Sequence, residues 1–135
     1  GVIHRRRLEW LEENAWQVTD WLLPTGKTAG AHTAVLHWLL PDWNWVLDAR
    51  GLTLQGPPGS LRVDVTLQTQ TGPAPEQQLI RRGDLLAGQG AVPPTLGWWS
   101  PTYNQKLPAL SLRLIASARL PIQFVTTFRL SPTGE

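Results

Sequence analysis

The chain has 135 residues, 41% of them hydrophobic, with 12 Lys and Arg against 10 Asp and Glu for a formal charge of +2. That length admits one domain with a real core, and no apolar run approaches the roughly 18 residues that a membrane helix needs, so no membrane partner is expected. There is no cysteine, which excludes disulfides and thiolate chemistry and leaves the redox compartment open.

Eight tryptophans stand against one tyrosine and two phenylalanines, the one unusual proportion in the composition. The chain has no methionine and begins at Gly1, whereas a complete gene product starts with Met. It is therefore expected to be a piece of a longer protein. Arg5, Arg6 and Arg7 form the tightest basic cluster, and Arg81 and Arg82 form a pair. A nucleic-acid footprint needs a larger basic patch, so nucleic acid is not expected as a partner. Scattered arginines beside aromatics suit an acidic polysaccharide, whose carboxylate or sulfate groups accept bidentate guanidinium pairs.

In chain order, residues 2–10 alternate imperfectly, with Arg5, Arg7 and Glu9 on one face and His4, Arg6, Leu8 and Trp10 on the other. Glu12, Glu13 and Asn14 form a turn, and the alternation resumes over residues 15–22, so the pair reads as a hairpin. Asp20 lies on a largely apolar strand, which predicts a salt bridge to an arginine of the first strand. Residues 24–31 form a Gly- and Thr-rich loop. Residues 31–40 form a third strand, apolar on both faces and therefore expected in mid-sheet. Pro41 and Asp42 make a corner, and residues 43–47 and 52–55 form short strands around a turn at Ala49, Arg50 and Gly51.

After Gly56-Pro57-Pro58-Gly59 comes the cleanest alternation. Leu61, Val63, Val65 and Leu67 point inward, and Arg62, Asp64, Thr66 and Gln68 point outward. Residues 69–76 read as a loop, 77–82 as a short strand and 83–94 as a long loop. The last two strands cover residues 107–117 and 120–130. The expected core is Leu61, Val63, Val65, Leu110, Leu112, Leu114, Phe124 and Phe128. No helical period persists over three turns, and twelve prolines and twelve glycines interrupt every long candidate. The pattern is all-β, an antiparallel β-sandwich of about ten short strands in a single domain over residues 1–135.

Residues 97–112, GWWSPTYNQKLPALSL, organise the rest. Leu110, Leu112 and Leu114 share one face of a strand, with Ser111 and Arg113 on the other. Before them, residues 98–106 form a polar, aromatic loop stiffened by Pro101 and Pro108. Such a loop is expected at a surface, because burial would leave its polar groups unpartnered. Indole stacks on the CH face of a sugar while amides and cations take its hydroxyl and acidic groups. The candidate substrate-binding residues are therefore Trp99, Tyr103 and Lys106, with Arg6. The alternative has Trp98 and Trp99 capping the core at a strand entrance.

Other patterns carry less. His32 and His37 are an odd number of residues apart and face opposite ways on one strand, which leaves at most His4, Asp20 and one other histidine for a metal; the expectation is no metal site, with these as hydrogen-bonding polar residues. Thr25-Gly26-Lys27-Thr28 looks like the end of a phosphate loop, but Trp21 stands where the first glycine is required. Arg82-Gly83-Asp84 reads as a turn. No Gly-x-Ser-x-Gly context marks a nucleophilic serine.

His4-Arg5-Arg6, Val18-Thr19-Asp20, Leu36-His37-Trp38, Gly97-Trp98-Trp99-Ser100-Pro101-Thr102-Tyr103 and the closing Gln123 to Phe128 segment together resemble the C-terminal region of the heparinase II/III-like protein family. The resemblance implies a bacterial polysaccharide lyase in which an N-terminal α/α toroid precedes an antiparallel β-sandwich. Such an enzyme abstracts the proton α to a uronic carboxyl and eliminates across the glycosidic bond. The family's proton-moving tyrosine and histidine and its metal ligands come from the toroid and from a His-Asn motif before this segment. No His-Asn dipeptide occurs here, and Tyr103 belongs to a different motif. The resemblance thus implies no catalytic residue, no metal ligand and no cofactor within this chain; a divalent metal would belong to the preceding part. The implied partners are the toroid and an acidic polysaccharide, and a periplasmic or secreted parent would fit. The chain alone is expected to be inactive. Two alternatives are a stand-alone carbohydrate-binding module and a purely structural interaction domain.

Overall fold

The computed structural model describes residues 1–27, 30–69 and 72–133. Parts of the expected loops at 24–31 and 69–76, and Thr28 of the phosphate-loop-like tetrad, lie outside the described residues. In chain order the strands are β1 (Val2–Glu12), β2 (Ala15–Pro24), β3 (His32–Leu40), β4 (Asn44–Leu47), β5 (Gly51–Gly56), β6 (Gly59–Gln68), β7 (Glu76–Arg81), β8 (Asp84–Gly88), β9 (Trp98–Trp99), β10 (Leu107–Pro108), β11 (Leu110–Ala118) and β12 (Ile122–Pro132). There is no helix among the described residues. The fold is all-β, antiparallel and sandwich-like, as the alternation predicts, with twelve strands among the described residues rather than about ten. The chain divides into two compact units. The first holds Gly1–His32, Asn44–Pro73 and Ser117–Glu135, and the second holds Thr33–Trp43 and Ala74–Ala116.

The first unit is a six-stranded sheet in the order β1-β2-β12-β6-β5-β4. The expected opening hairpin is its edge, with Leu8 opposite Val18 and Trp10 opposite Trp16. Register then carries one apolar face across the sheet: Val18 lies opposite Thr126, Thr126 opposite Val65, and Val63 opposite Leu52. Leu52, Leu54, Val63, Ile122 and Phe124 are fully or nearly fully buried there. Three expected core residues of this sheet, Leu61, Val65 and Phe128, are only half-buried. Phe128 stands in a row with Trp16, which is itself partly exposed, and Leu61 follows it toward the end of the β6–β12 ladder. Val65 lies beyond the start of β5, which begins at Gly51 opposite Asp64.

The same apolar face buries a carboxylate. Asp20 is 3% exposed. Its Oδ1 accepts from Arg6 Nε at 2.7 Å and from His4 Nε2 at 2.6 Å, and its Oδ2 accepts from Arg6 Nη2 at 3.1 Å. The predicted pairing of Asp20 with an arginine of the first strand is thus borne out. A buried carboxylate needs such partners, since desolvation without them costs several kcal/mol. On the opposite, polar face, Arg62 bridges Asp48 at 2.8 Å and Asp64 at 2.8 Å. Asp48 also accepts from the amides of Arg50 and Gly51, closing the turn between β4 and β5. The bond from Arg62, followed by the Arg50 amide, holds the Asp48 carboxyl well below the usual carboxylate range.

The second unit is a four-stranded sheet in the order β3-β11-β7-β8, accompanied by the two-stranded ribbon of β9 and β10. Two expectations are corrected here. First, β3 is an edge strand rather than a central one. Ala34, Leu36 and Leu40 are buried, but Val35 and Leu39 on its other face are exposed, so its second apolar face is surface and not core. Second, the expected long loop at 83–94 contains β8, paired with β7. Arg81 lies opposite Asp84, leaving Arg82 and Gly83 as a two-residue turn at φ 52° and 75°. Both central residues are left-handed, as a type I′ hairpin turn requires, so the Arg-Gly-Asp tripeptide is a turn. Leu110, Leu112 and Leu114 of β11 are buried as expected, facing Arg81, Leu79 and Gln77 of β7 in register.

Phe124 is 2% exposed in mid-sheet between Asp20 and Leu67. We expect Phe124→Ala to cost roughly 3–5 kcal/mol in urea unfolding, and more than Phe128→Ala at its half-buried position. Equal costs would show that the register misplaces the core.

Candidate functional site

The polar, aromatic loop is a short hairpin. Trp99 of β9 lies opposite Leu107 of β10, and Trp98 opposite Pro108. At the tip, the Ser100 hydroxyl donates to Thr102 O at 2.7 Å, the Gln105 amide donates to Thr102 O at 3.2 Å, and Thr102 Oγ1 donates to Gln105 Oε1 at 3.1 Å. These local bonds, with Asn104 at φ 60°, turn the chain without help from the core. Tyr103 at the tip is 93% exposed and Trp99 is 45% exposed. Trp98 is half-buried, and Lys106 Nζ sits 4.0 Å from its ring centroid. That cation–π contact holds Lys106 back against the hairpin. The surface location read from the sequence is borne out, with Trp98 the more covered of the two indoles.

One residue ties the hairpin to the sheet. The Gly97 N–H donates to Ser111 Oγ at 2.9 Å, and the Gly97 carbonyl accepts from the amides of Arg82 and Ala109, each at 3.0 Å. The Gly83 amide donates to Leu96 O at 2.8 Å alongside. The β7–β8 turn, the start of β9 and the approach to β11 therefore meet at residue 97. Only glycine fits: φ is 81°, and a Cβ would lie 2.6 Å from Arg82 N and 2.7 Å from Arg81 Cα. Ser111 is fully buried and serves a second partner, His37 of β3, whose Nε2 is 2.9 Å from its Oγ. Partial burial of the imidazole on an otherwise exposed residue, and then the charge of Arg113, lower the His37 pKa from its ordinary value. A neutral ring suits this place, because Nε2 can then accept the serine proton while Oγ accepts from Gly97.

Beside the hairpin the second unit has an open cleft of about 530 Å3, with Leu39, Pro41, Asp42, Trp43, Trp99 and Pro108 among its walls. Asp42 is held by Arg81, with Nη2 donating to Oδ2 at 2.8 Å and Nε 2.7 Å from Oδ1. The Nε contact is an ion pair rather than a hydrogen bond, since its N–H is not aimed at the carboxylate. Two indoles, apolar floor residues and an oriented carboxylate at one edge suit a sugar ring, with CH faces against the indoles and hydroxyls toward Asp42.

Of the four residues singled out from the sequence, only Trp99 lines this cleft. Tyr103 and Lys106 belong to the same hairpin but stand at its tip and over Trp98. Arg6 is in the first unit, engaged with Asp20. Trp43 and Asp42 were missed. Their signal was the Pro41-Asp42-Trp43 corner directly after a strand with a second apolar face. Among the described residues no three metal-ligating side chains converge. His4 and Asp20 do meet, but Arg6 takes both carboxylate oxygens, so this cluster does not fit a divalent ion.

The fold and the cleft define an all-β, sandwich-like domain with an aromatic surface site. A solved structure of heparinase III (the BT4657 gene product, with methylated lysines) is similar to it, with a TM-score of 0.70, 98% of this chain covered and 11% sequence identity. This chain spans 18% of the length of that protein. The likeness establishes a shared fold, and the resemblance read from the residues is borne out as a structural relationship. No family model and no curated protein matches the sequence.

We expect Gly97→Ala to lower stability by at least about 2 kcal/mol, because backbone rather than a flexible side chain stands in the way. The amide signals of Arg82 and Ala109 should shift with it. A neutral substitution would show that the junction relaxes freely. The lowered pKa of His37 has a definite sign. Native His37 binds a proton less readily than the unfolded chain, so stability is full above the ordinary value of 6.5 and falls as pH drops below it. Urea unfolding at steps from neutral to mildly acid pH should show this decline, and His37→Gln should flatten it. An unchanged slope in the variant would place the titration elsewhere.

Proposed function

We propose that this chain is the β-domain of a polysaccharide lyase of the heparinase II/III kind, C-terminal to an α/α toroid and forming one wall of the substrate cleft. The observation that carries the reading is the heparinase III fold, which accounts for 98% of this chain while the chain amounts to 18% of that protein. A domain of this extent supplies shape and contacts, and the rest of the enzyme supplies chemistry.

In this reading Trp99 and Trp43 hold a sugar ring by stacking, and Asp42 fixes its hydroxyls. Tyr103 and Lys106, at the tip and base of the hairpin turn, meet either the glycan or the toroid. The reaction is abstraction of the proton α to a uronic carboxyl followed by elimination of the glycosidic oxygen. The base, the acid and any divalent metal belong to the preceding part. What this chain contributes is orientation, which counts because an acidic polymer must be held in register for its α-proton to meet the base. The exposure of Tyr103 and Trp99 also favours a second reading, a carbohydrate-binding module that holds acidic glycan without the toroid.

Incubation with heparin, heparan sulfate and alginate, followed by absorbance of the unsaturated product, tests the assignment. We expect no turnover by this chain alone. In the full-length protein we expect turnover, with Trp99→Ala lowering kcat/KM roughly tenfold, the scale of one lost aromatic contact. Its melting temperature should change little. Elimination by the chain alone would overturn the reading. Tight glycan binding by the chain alone, with unaltered kinetics in full-length Trp99→Ala, would favour the binding module.

A further inference from the structure

The core of the first unit does not account for Trp21. Strand alternation puts Asp20 and Leu22 on the apolar face of the six-stranded sheet and Trp21 and Leu23 on the polar one, in company with Arg62 and Asp64. Register makes the environment of Trp21 specific. Arg5 lies directly opposite it on β1, Gln123 directly opposite on β12, and Gln68 opposite Gln123 on β6. Arg5, Trp21, Gln123 and Gln68 thus form one row across four strands, spanning roughly 14 Å at normal strand spacing.

Two surface grooves meet over this row. One, of about 540 Å3, runs between the arginines of β1 and Trp21; the other, of about 420 Å3, runs from Trp21 to Gln68, Pro121 and Gln123. They share Trp21 and Leu23 as a common floor.

The charge beside Trp21 is positive and accessible. Arg5 is exposed and has no acidic partner among the described residues. Arg7 stands 5.4 Å from the Trp21 ring centroid, and Glu9 shares its charge at 2.9 Å. Arg6 also borders the first groove, but its guanidinium is committed to Asp20.

We propose that this polar face is a second binding site, for a strand of anionic glycan laid across β1, β2, β12 and β6. It goes beyond the lyase reading, because it is a separate site in the first unit and needs no catalysis. Each element of the row has a complement in such a ligand. The indole and Leu23 give a ring an apolar floor, the two side-chain amides pair with hydroxyls, and Arg5 takes a carboxylate or sulfate bidentately. Single-stranded nucleic acid fits less well, since it calls for successive stacking platforms and a longer run of cations than this row provides.

Titration of the 135-residue chain with a size-defined heparin oligosaccharide, read by backbone amide shifts, tests the proposal. Dextran, single-stranded DNA, polyphosphate and anionic lipid vesicles serve as comparators. We expect shifts along the Arg5, Trp21, Gln123 and Gln68 row, with binding weakened by salt. Affinity read from the shifts of this row should fall roughly three- to tenfold in Arg5→Ser and in Trp21→Ala. Because Trp21→Ala could loosen the sheet, Gln123→Ala is measured beside it and should weaken binding while leaving unfolding intact. Unchanged affinity in Arg5→Ser and Gln123→Ala would overturn the site. So would equal binding of DNA, polyphosphate, vesicles or dextran. Loss confined to Trp99→Ala would overturn it too, while leaving the cleft of the second unit standing.

Discussion

The junction at Gly97 is the constraint on which the second unit depends. A buried serine hydroxyl on β11 receives the Gly97 amide, and the Gly97 carbonyl receives two further backbone amides. These are short, directional bonds in a place where water cannot substitute for them, so losing one leaves a buried donor or acceptor unpaired. Because the bonds converge on a residue at positive φ with backbone on its Cβ side, no other side chain can be accommodated without moving the strands. The aromatic hairpin begins at the next residue. Its two indoles therefore inherit their position from the sheet.

The first unit solves a different problem by a related means. Its apolar face includes a carboxylate, Asp20, in the same row as Phe124. Arg6 and His4 from the neighbouring edge strand reach it. The edge strand otherwise exposes large side chains, including Leu8 and Trp10. Polar anchoring thus fixes the register of an edge that burial alone would specify weakly. The same register, read on the opposite face, lines up Arg5 with Trp21.

Much of this was legible in the sequence. Alternation over residues 61–67 and 107–130 reported the long central strands, because a half-buried strand writes its two faces into alternate positions. The opening hairpin and the pairing of Asp20 with an arginine were legible for the same reason. What was not legible follows from sheet order and partner choice. The double apolar face of β3 is compatible with a central strand or with an exposed edge, and only its neighbours decide. Leu85-Leu86-Ala87 does not alternate, so β8 was hidden, although Arg82-Gly83 is the kind of pair that a two-residue hairpin turn uses. The cleft brings Asp42 and Trp43 to Trp99 across more than fifty residues of sequence, a proximity that no local pattern encodes. Arg6 was chosen as a surface cation although its own alternation places it on the face of Asp20; Arg5 and Arg7, its neighbours on either side, face the other way.

An acidic polysaccharide lyase divides its labour between groups that move protons and surfaces that hold a stiff, charged polymer. In the proposed reading the hairpin and the corner at Trp43 are a part of the second kind, offering apolar rings, a fixed carboxylate, and a cation drawn back onto an indole. The most direct measurement is a crystal structure of the full-length protein with an uncleaved acidic oligosaccharide. We expect a sugar ring in van der Waals contact with Trp99 and Trp43, a hydroxyl within hydrogen-bonding distance of Asp42, and a toroid facing them across the same chain. An oligosaccharide bound wholly within other parts of the protein, with the Trp99 cleft open to solvent, would contradict the assignment of this hairpin to the substrate cleft.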